Sequence, residues 1–414
     1  MRVKVSWKRI IYILILLSPV VDTINGLYLL RVGATGVSLG TFYRLVITLL
    51  ALYIALRKRS TAGQTILLLY FPFSAVLKSI QDNTLTPYLT YAVKWIYPVL
   101  LVYMWKNVFR RTEDTGREYI NKIIDFWLWF VPLSLITEYL LKLGYITYYD
   151  AGYKGLYYST NDIAFLLTVL FIYSVSKVLH DSSKKNIIQS LITLIAIVIL
   201  GTKSCLIFAV VTFVTGILYN SGTYKKLLRN LIIIAMGILA VVLIARYSTQ
   251  FNNAMIRYSN MWSYSTYGGK VSTFLNFATS GRTPRINSFF TKLTNNFSVT
   301  KLLFGWITPD NAHVIEMDWH DLLCQYGVIG LAVLVITYLR IFVQYRFSKY
   351  PGVYALIVGM IYTTLSGHII SGALAGTALA VVIIDSQNRN IGYSYKALTR
   401  KDKRAIRGSS VQRA

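Results

Sequence analysis

About a dozen apolar segments, interrupted once by a long polar stretch from Tyr247 to Trp319, constrain this chain more than anything else in it. The segments run over residues 10–30, 39–56, 65–80, 88–105, 123–143, 162–179, 187–201, 204–219, 230–246, 320–340, 353–367 and 369–385. Each is close to the roughly 20 helical residues that cross the hydrocarbon core of a bilayer. Lipid offers no water to unpaired backbone groups, so a long irregular segment cannot lie within it. The stretch from Tyr247 to Trp319 is therefore expected at a membrane face, above a helix bundle. The apolar run from Val353 to Ile384 would be about 48 Å long as one helix, too long for the core. Two short spans meeting near Ser366-Gly367-His368 fit better, and small residues Gly372, Ala373, Ala375 and Gly376 suit close packing of the second.

Composition and charge point the same way. The chain is 55% hydrophobic and only 14% charged, with a mean hydropathy of +0.51, which excludes an ordinary soluble domain. Its net charge of +27 would suit a nucleic-acid binder only if the basic residues gathered on a soluble domain. Instead they fall in short clusters between apolar runs, so nucleic acid is not an expected partner. Both cysteines, Cys205 and Cys324, lie inside apolar segments, which argues against a disulfide framework or a zinc site. The first apolar run continues into Leu29-Leu30-Arg31 and further spans, not into a cleavage site, so it is expected to remain as a span.

Lys and Arg set the expected orientation. One side of the alternation holds Arg2, Lys4, Lys8 and Arg9; Arg57, Lys58 and Arg59; Lys106, Arg110, Arg111, Arg117 and Lys122; Lys177, Lys184 and Lys185; Lys225, Lys226 and Arg229; Arg340, Arg346 and Lys349; and eight more in the tail after Asp385. The other side, for example 81–87 and Gly367-His368, holds almost none. Both termini are then cytoplasmic and the polar loop is outside. The expected organisation is transmembrane helices over 1–246, an extracytoplasmic loop over 247–319, further helices over 320–385 and a basic cytoplasmic tail over 386–414.

Ionisable groups inside spans are costly and are candidates for function. Arg44 and Lys94 lie about one and a half turns in from the outer face, with Lys78 and Lys203 nearer to it. Asp22 and Glu138 have comparable depth and are candidate partners for Arg44 and Lys94. Two readings stand side by side: structural ion pairs with snorkelling lysines, or a basic pocket for an anionic head group such as a lipid pyrophosphate. Gly201-Thr202-Lys203-Ser204 is a turn opening a helix, a place that favours phosphate, although it is also an ordinary interspan turn. Ser280-Gly281-Arg282-Thr283-Pro284-Arg285 carries two guanidiniums that suit bidentate phosphate contact or, more plainly, a solvated loop.

The stretch Glu316-Met317-Asp318-Trp319-His320-Asp321 places acids and a histidine at the mouth of a span, where a general base would serve acceptor activation. If the helix begins this early, Glu316 and His320 share a face, and so do Asp318 and Asp321. Asp318 also suits helix capping. A metal site from His313, Glu316 and His320 lacks the H-E-x-x-H spacing, and none is assigned. Trp262, Trp306 and Trp319 suit interface anchoring or sugar stacking.

These motifs in this order resemble the bacterial O-antigen ligase and polysaccharide polymerase superfamily, the Wzy-type polymerases. Thr202-Lys203 stands where the family reads approximately Ser-Arg, and Ser280-Gly281-Arg282 matches its Ser-Gly-Arg. Glu316-Met317 stands where the family often reads His-Asn, eleven residues before Gly-x-x-Gly (here Gly327 and Gly330), and Glu316-Met317-Asp318 resembles the Glu-x-Asp version of Gram-positive exopolysaccharide polymerases. Lys154-Gly155 and Asn161 resemble a segment preceding the family's central span. The resemblance implies an all-α, GT-C-like polytopic membrane protein of about 12 spans in the bacterial plasma membrane. It implies polymerisation of undecaprenyl-pyrophosphate-linked oligosaccharides, with the bilayer, a chain-length regulator and a flippase as partners. Lys203, Arg282 and Arg285 would hold the pyrophosphate, with Arg44, Lys94 and His320 lining the substrate site. Glu316 or Asp318 would deprotonate the acceptor hydroxyl, with inversion at the sugar and no metal or other cofactor required. A lipid-linked oligosaccharide flippase and a ligase moving finished glycan are the alternatives. The outward position of the charged groups and the absence of a visible repeat between the halves weigh against a carrier.

Overall fold

The computed structural model describes residues 6–33, 38–57, 62–82, 85–109, 112–147, 152–220, 276–308, 315–343, 351–365 and 367–386, with isolated positions between 228 and 260. The chain is mostly helical, as expected. The elements are α1 (Trp7–Leu16), α2 (Ser18–Val32), α3 (Leu39–Arg57), α4 (Ala62–Asp82), α5 (Leu85–Phe109), α6 (Glu113–Leu140), β1 (Tyr145–Thr147), β2 (Gly152–Gly155), α7 (Thr160–His180), α8 (Lys184–Leu200) and α9 (Lys203–Asn220). After the polar stretch begin α10 (Thr283–Asn295), α11 (Val299–Phe304), α12 (Asp318–Val343), α13 (Gly352–Leu365) and α14 (Ala373–Ser386).

Glu113–Leu140, Thr160–His180 and Asp318–Phe342 are long and apolar enough to cross a membrane, and α1 with α2 makes a fourth such unit bent by 50°. The apolar helices Leu39–Ile54, Leu69–Ile80, Lys203–Gly216, Gly352–Leu365 and Ala373–Ser386 are shorter. The expected span at 230–246 lies outside the described residues except at isolated positions.

Packing centres on α5, α7 and α14, whose side chains are buried almost all round. A helix that is apolar on every side belongs in the middle of a bundle, and α7 is flanked by α6, α8, α9 and α13. Trp95, Trp105, Trp127, Tyr173 and Tyr362 fill the space between helices. Their polar atoms are largely matched: Trp95 Nε1 donates to Gln325 Oε1 at 3.1 Å, and Tyr173 Oη donates to Asp385 Oδ2 at 2.7 Å.

Two spans expected to be continuous are broken, and the chain satisfies each break from outside. Residues 10–30 divide at Leu17, because Pro19 has no N–H to continue the ladder. The carbonyls exposed there are taken by neighbours, Leu16 O by Trp127 Nε1 at 2.9 Å and Leu14 O by Tyr43 Oη. In α12, Gly327 adopts φ 67 and ψ −169, which interrupts the helix. Three successive carbonyls before it take external donors. Cys324 O accepts from Trp306 N at 2.8 Å and Ile307 N at 3.1 Å, Gln325 O from Lys78 Nζ, and Tyr326 O from Tyr70 Oη at 3.1 Å. Gly327 itself must be glycine, since a Cβ would run into the backbone of Leu303 and Phe304 in α11.

The small hairpin follows α6. Its strands pair antiparallel, with Ile146 opposite Tyr153 and Thr147 opposite Gly152. Glu138 near the end of α6 anchors it, accepting the Leu156 N–H at 2.8 Å.

Candidate functional site

The site begins with four helix starts, those of α7, α9, α12 and α14, brought to one region by side chains that bridge them. Ser159 caps α7 by accepting the Asp162 N–H at 3.3 Å, and donates its hydroxyl to Asp162 Oδ1 at 3.0 Å. Asp162 Oδ2 then accepts the Leu374 N–H, in the first turn of α14, at 3.0 Å. Asp318, the first residue of α12, is fully buried, and its carboxylate gathers the turn ahead of α14. It accepts Ile369 N at 2.7 Å, Ile370 N at 2.9 Å, Ser371 N at 3.4 Å and the Ser371 hydroxyl at 2.8 Å. Such a row of N–H groups is an anion nest, filled here by the protein's own carboxylate.

Asp321, one turn into α12, reaches back to accept Ile315 N at 2.6 Å and Met317 N at 3.1 Å. Both neighbours of Glu316 are thereby pinned, and Glu316 itself is pushed into a left-handed backbone with φ 67. Gly367 lies so close to the Glu316 carbonyl and Met317 nitrogen that no side chain would fit there. Among the described residues four non-glycine positions have positive φ, and three of them, Ser280, Glu316 and His368, are in this region. Backbone held in sparsely populated conformations gathers at functional sites.

The basic side of the site comes from the polar stretch. Ser280 and Gly281, both at positive φ, turn the chain so that Arg282 precedes α10. Arg282 is 91% buried, with a relative exposure of 9%, and its Nη2 lies 3.0 Å from Glu316 Oε2. Arg285 Nη1 lies 3.5 Å from Glu316 Oε1, so each carboxylate oxygen faces a different guanidinium. Lys203 donates to Phe277 O, sits 4.2 Å over the Phe277 ring and lies within electrostatic reach of Arg282. Burial raises the proton affinity of Glu316, but Arg282, His368 and Arg285 together outweigh it and hold the carboxyl below its usual range. A small apolar cluster of Phe289, Ile307, Ile315, Met317 and Cys324 fastens this segment to α12.

Deeper in the bundle, Arg44 pairs with Asp22 as expected. The expected pair of Lys94 with Glu138 is not formed: Glu138 is used by the hairpin, and Lys94 lies 4.3 Å over the Tyr91 ring. Lys94 and Arg44 nonetheless sense Asp162, and Asp162 senses His368, which in turn acts on Glu316. The charged groups thus form one chain from Arg44 and Lys94 to Arg282, Arg285 and Lys203.

The sequence-expected residues do not all meet. Arg282, Arg285, Glu316 and Lys203 converge. Asp318 adjoins them but is spent on the 369–371 turn rather than on capping α12, while Asp321 ties down Ile315 and Met317 ahead of the helix. Glu316 precedes the helix, so the shared face with His320 is lost, and His320 Nδ1 is buried with no partner among the described residues. His313 and Trp262 lie outside the described residues, Trp306 Nε1 donates to Phe289 O at 2.9 Å, and Trp319 Nε1 to Thr363 Oγ1 at 2.9 Å. Sequence reasoning missed Asp162 and His368. Ser159-Thr160-Asn161-Asp162 carries a capping-box spacing that marks the first. For His368, the signal was a histidine beside glycine in a turn between two apolar runs. Comparison of the chain with protein-family models, with curated proteins and with solved structures returned no match in any of the three.

Proposed function

We propose that this chain is a membrane glycosyltransferase that joins lipid-pyrophosphate-linked oligosaccharide repeats into a surface polysaccharide. One observation carries the reading: Arg282 and Arg285 grip a single carboxylate, Glu316, with Lys203 from a distant chain segment within electrostatic reach of Arg282, where helix starts meet. Glu316 lies between two guanidiniums, a place that oxygens of a diphosphate would fill with more charge and better-matched fork geometry. In the reaction an acceptor hydroxyl attacks the anomeric carbon as the sugar–phosphate bond breaks. The leaving diphosphate takes the electron pair, and the three cations neutralise the charge it develops. Attack opposite the leaving group inverts the sugar centre.

The finer architecture belongs to the same proposal. About 12 spans in a GT-C-like arrangement, both termini cytoplasmic and the 247–319 stretch outside would put this basic region at the outer face of a bacterial plasma membrane. There it would meet undecaprenyl-linked donors, along with chain-length regulator and flippase proteins.

The glycan size ladder in a strain lacking the chain tests the reading. Single repeats accumulating on lipid are the expected result. Long unattached polymer would instead mark a ligase, and repeats confined to the inner leaflet a flippase.

A further inference from the structure

Resting on the glycosyltransferase reading, we infer that His368 is the general base of this site, held in the productive tautomer by a Ser371–Asp318 relay. The usual candidates are occupied. Asp318 is fully buried and accepts four hydrogen bonds from residues 369–371. Glu316 has a guanidinium on each oxygen and is held below the usual carboxylate range, so it is a poor proton acceptor.

His368 is placed differently. Its Nδ1 lies 3.2 Å from Ser371 Oγ, and Ser371 Oγ lies 2.8 Å from Asp318 Oδ1. An ionised carboxylate only accepts, so the single Ser371 proton goes to Asp318. Toward His368 the serine oxygen then acts as acceptor, and Nδ1 must carry the hydrogen. The tautomer is thereby assigned from the network: Nδ1–H bound, Nε2 with its lone pair free. Nε2 has no partner among the described residues. This is the logic by which a buried acid orients an imidazole in hydrolase triads, with a serine hydroxyl interposed.

The backbone supports a constrained role. His368 has φ 58 beside Gly367 at φ 65, an unusual setting for a non-glycine residue. Those two left-handed residues are what aim the 369, 370 and 371 N–H groups at Asp318. In the step proposed, Nε2 takes the acceptor hydroxyl proton as that oxygen bonds the anomeric carbon. The sugar–phosphate bond breaks toward the diphosphate, and the imidazolium later returns its proton to water.

Two measurements on the full-length chain test this. The chain has four histidines, so ¹⁵N-histidine labelling with His368→Asn for assignment reports its tautomer. Asparagine tolerates positive φ and keeps an N–H near the Nδ1 position, which guards the fold. At a pH where the ring is neutral, Nδ1–H is expected in the native chain, with the preference lost in Ser371→Ala; an Nε2–H ring would overturn the relay. For activity, the probe is the lipid-linked oligosaccharide fraction extracted from the strain lacking this chain. His368→Asn should bind that fraction while polymerising about 10²–10⁴-fold more slowly, the span of a lost general base. Native-like polymerisation by His368→Asn would overturn the base assignment. A native chain that makes no polymer at all would overturn the glycosyltransferase reading, and the base role with it, whatever the tautomer.

Discussion

At the scale of single residues, the site is a set of charges whose neighbours decide their use. Arg282 is buried, with its Nε unpartnered among the described residues while Nη2 faces Glu316, so it has capacity left for a ligand. Arg282→Ala should lower polymer formation by about 10²–10³, the cost of one preorganised donor to a developing anion, at unchanged membrane abundance. Arg282→Lys should recover only part, since a point charge cannot reproduce a fork; full activity in Arg282→Ala would remove its assigned role. Glu316 predicts an acid dependence. Its folded proton affinity is depressed, so the stability it contributes is complete at neutral pH and is lost as pH falls through that lowered value. The Tm gap between the native chain and Glu316→Gln should therefore close below the ordinary carboxylate range. A gap that stayed constant with pH would show that the arginine pair adds nothing to stability. Asp318→Ala should be strongly destabilising, at about 1–3 kcal/mol for a buried donor left unmatched, and more so than Asp318→Asn, which keeps one acceptor. Thermal unfolding in detergent separates them, and equal stabilities would contradict the clamp. Residue types and spacing made Arg282, Arg285, Lys203 and Glu316 legible in advance, because exposed charge at a span mouth has few structural uses. They did not reveal that Asp318 faces a turn some fifty residues later, since no local pattern encodes a long-range partner.

At the scale of elements, apolar length foretold the positions of most helices, and failures fell where a helix breaks. Pro19 was visible in the sequence, but Gly327 looked like any glycine in an apolar run, because its reason lies in α11 against it. What makes the second break tolerable is the supply of donors from Trp306, Ile307, Lys78 and Tyr70, none near it in sequence. Lys78, expected as a snorkelling or phosphate-facing group, proves to be a structural donor. Gly327→Ala should be strongly destabilising, through both a left-handed φ and a collision with the Leu303 backbone. Its expected signature is faster proteolytic cutting around residues 303–308. Lys78→Met should show a milder version of the same cutting, and a protease-resistant Gly327→Ala would refute the docking of α11 on the broken helix.

At the scale of the whole molecule, the positive-inside asymmetry predicts a topology open to direct test. A reporter fused after Gly269 should be extracytoplasmic, and reporters after Ser60 and Lys185 cytoplasmic. A cytoplasmic signal from the Gly269 fusion would remove the outer-face location of the basic region. The interrupted helix α12 has a mechanical consequence. The piece from Asp318 to Tyr326 is braced on every side, by the 305–307 strip, by Lys78 and Tyr70 of α4, by Trp95 of α5 and by Thr363 of α13. Gly327 is therefore a fixed bend, not a hinge, and it holds the mouth of α12 at a set angle to the remainder of the helix. Asp318, gripping Ile369, Ile370 and Ser371, completes a splint that keeps Glu316 and its two arginines at a constant distance from the 367–371 turn.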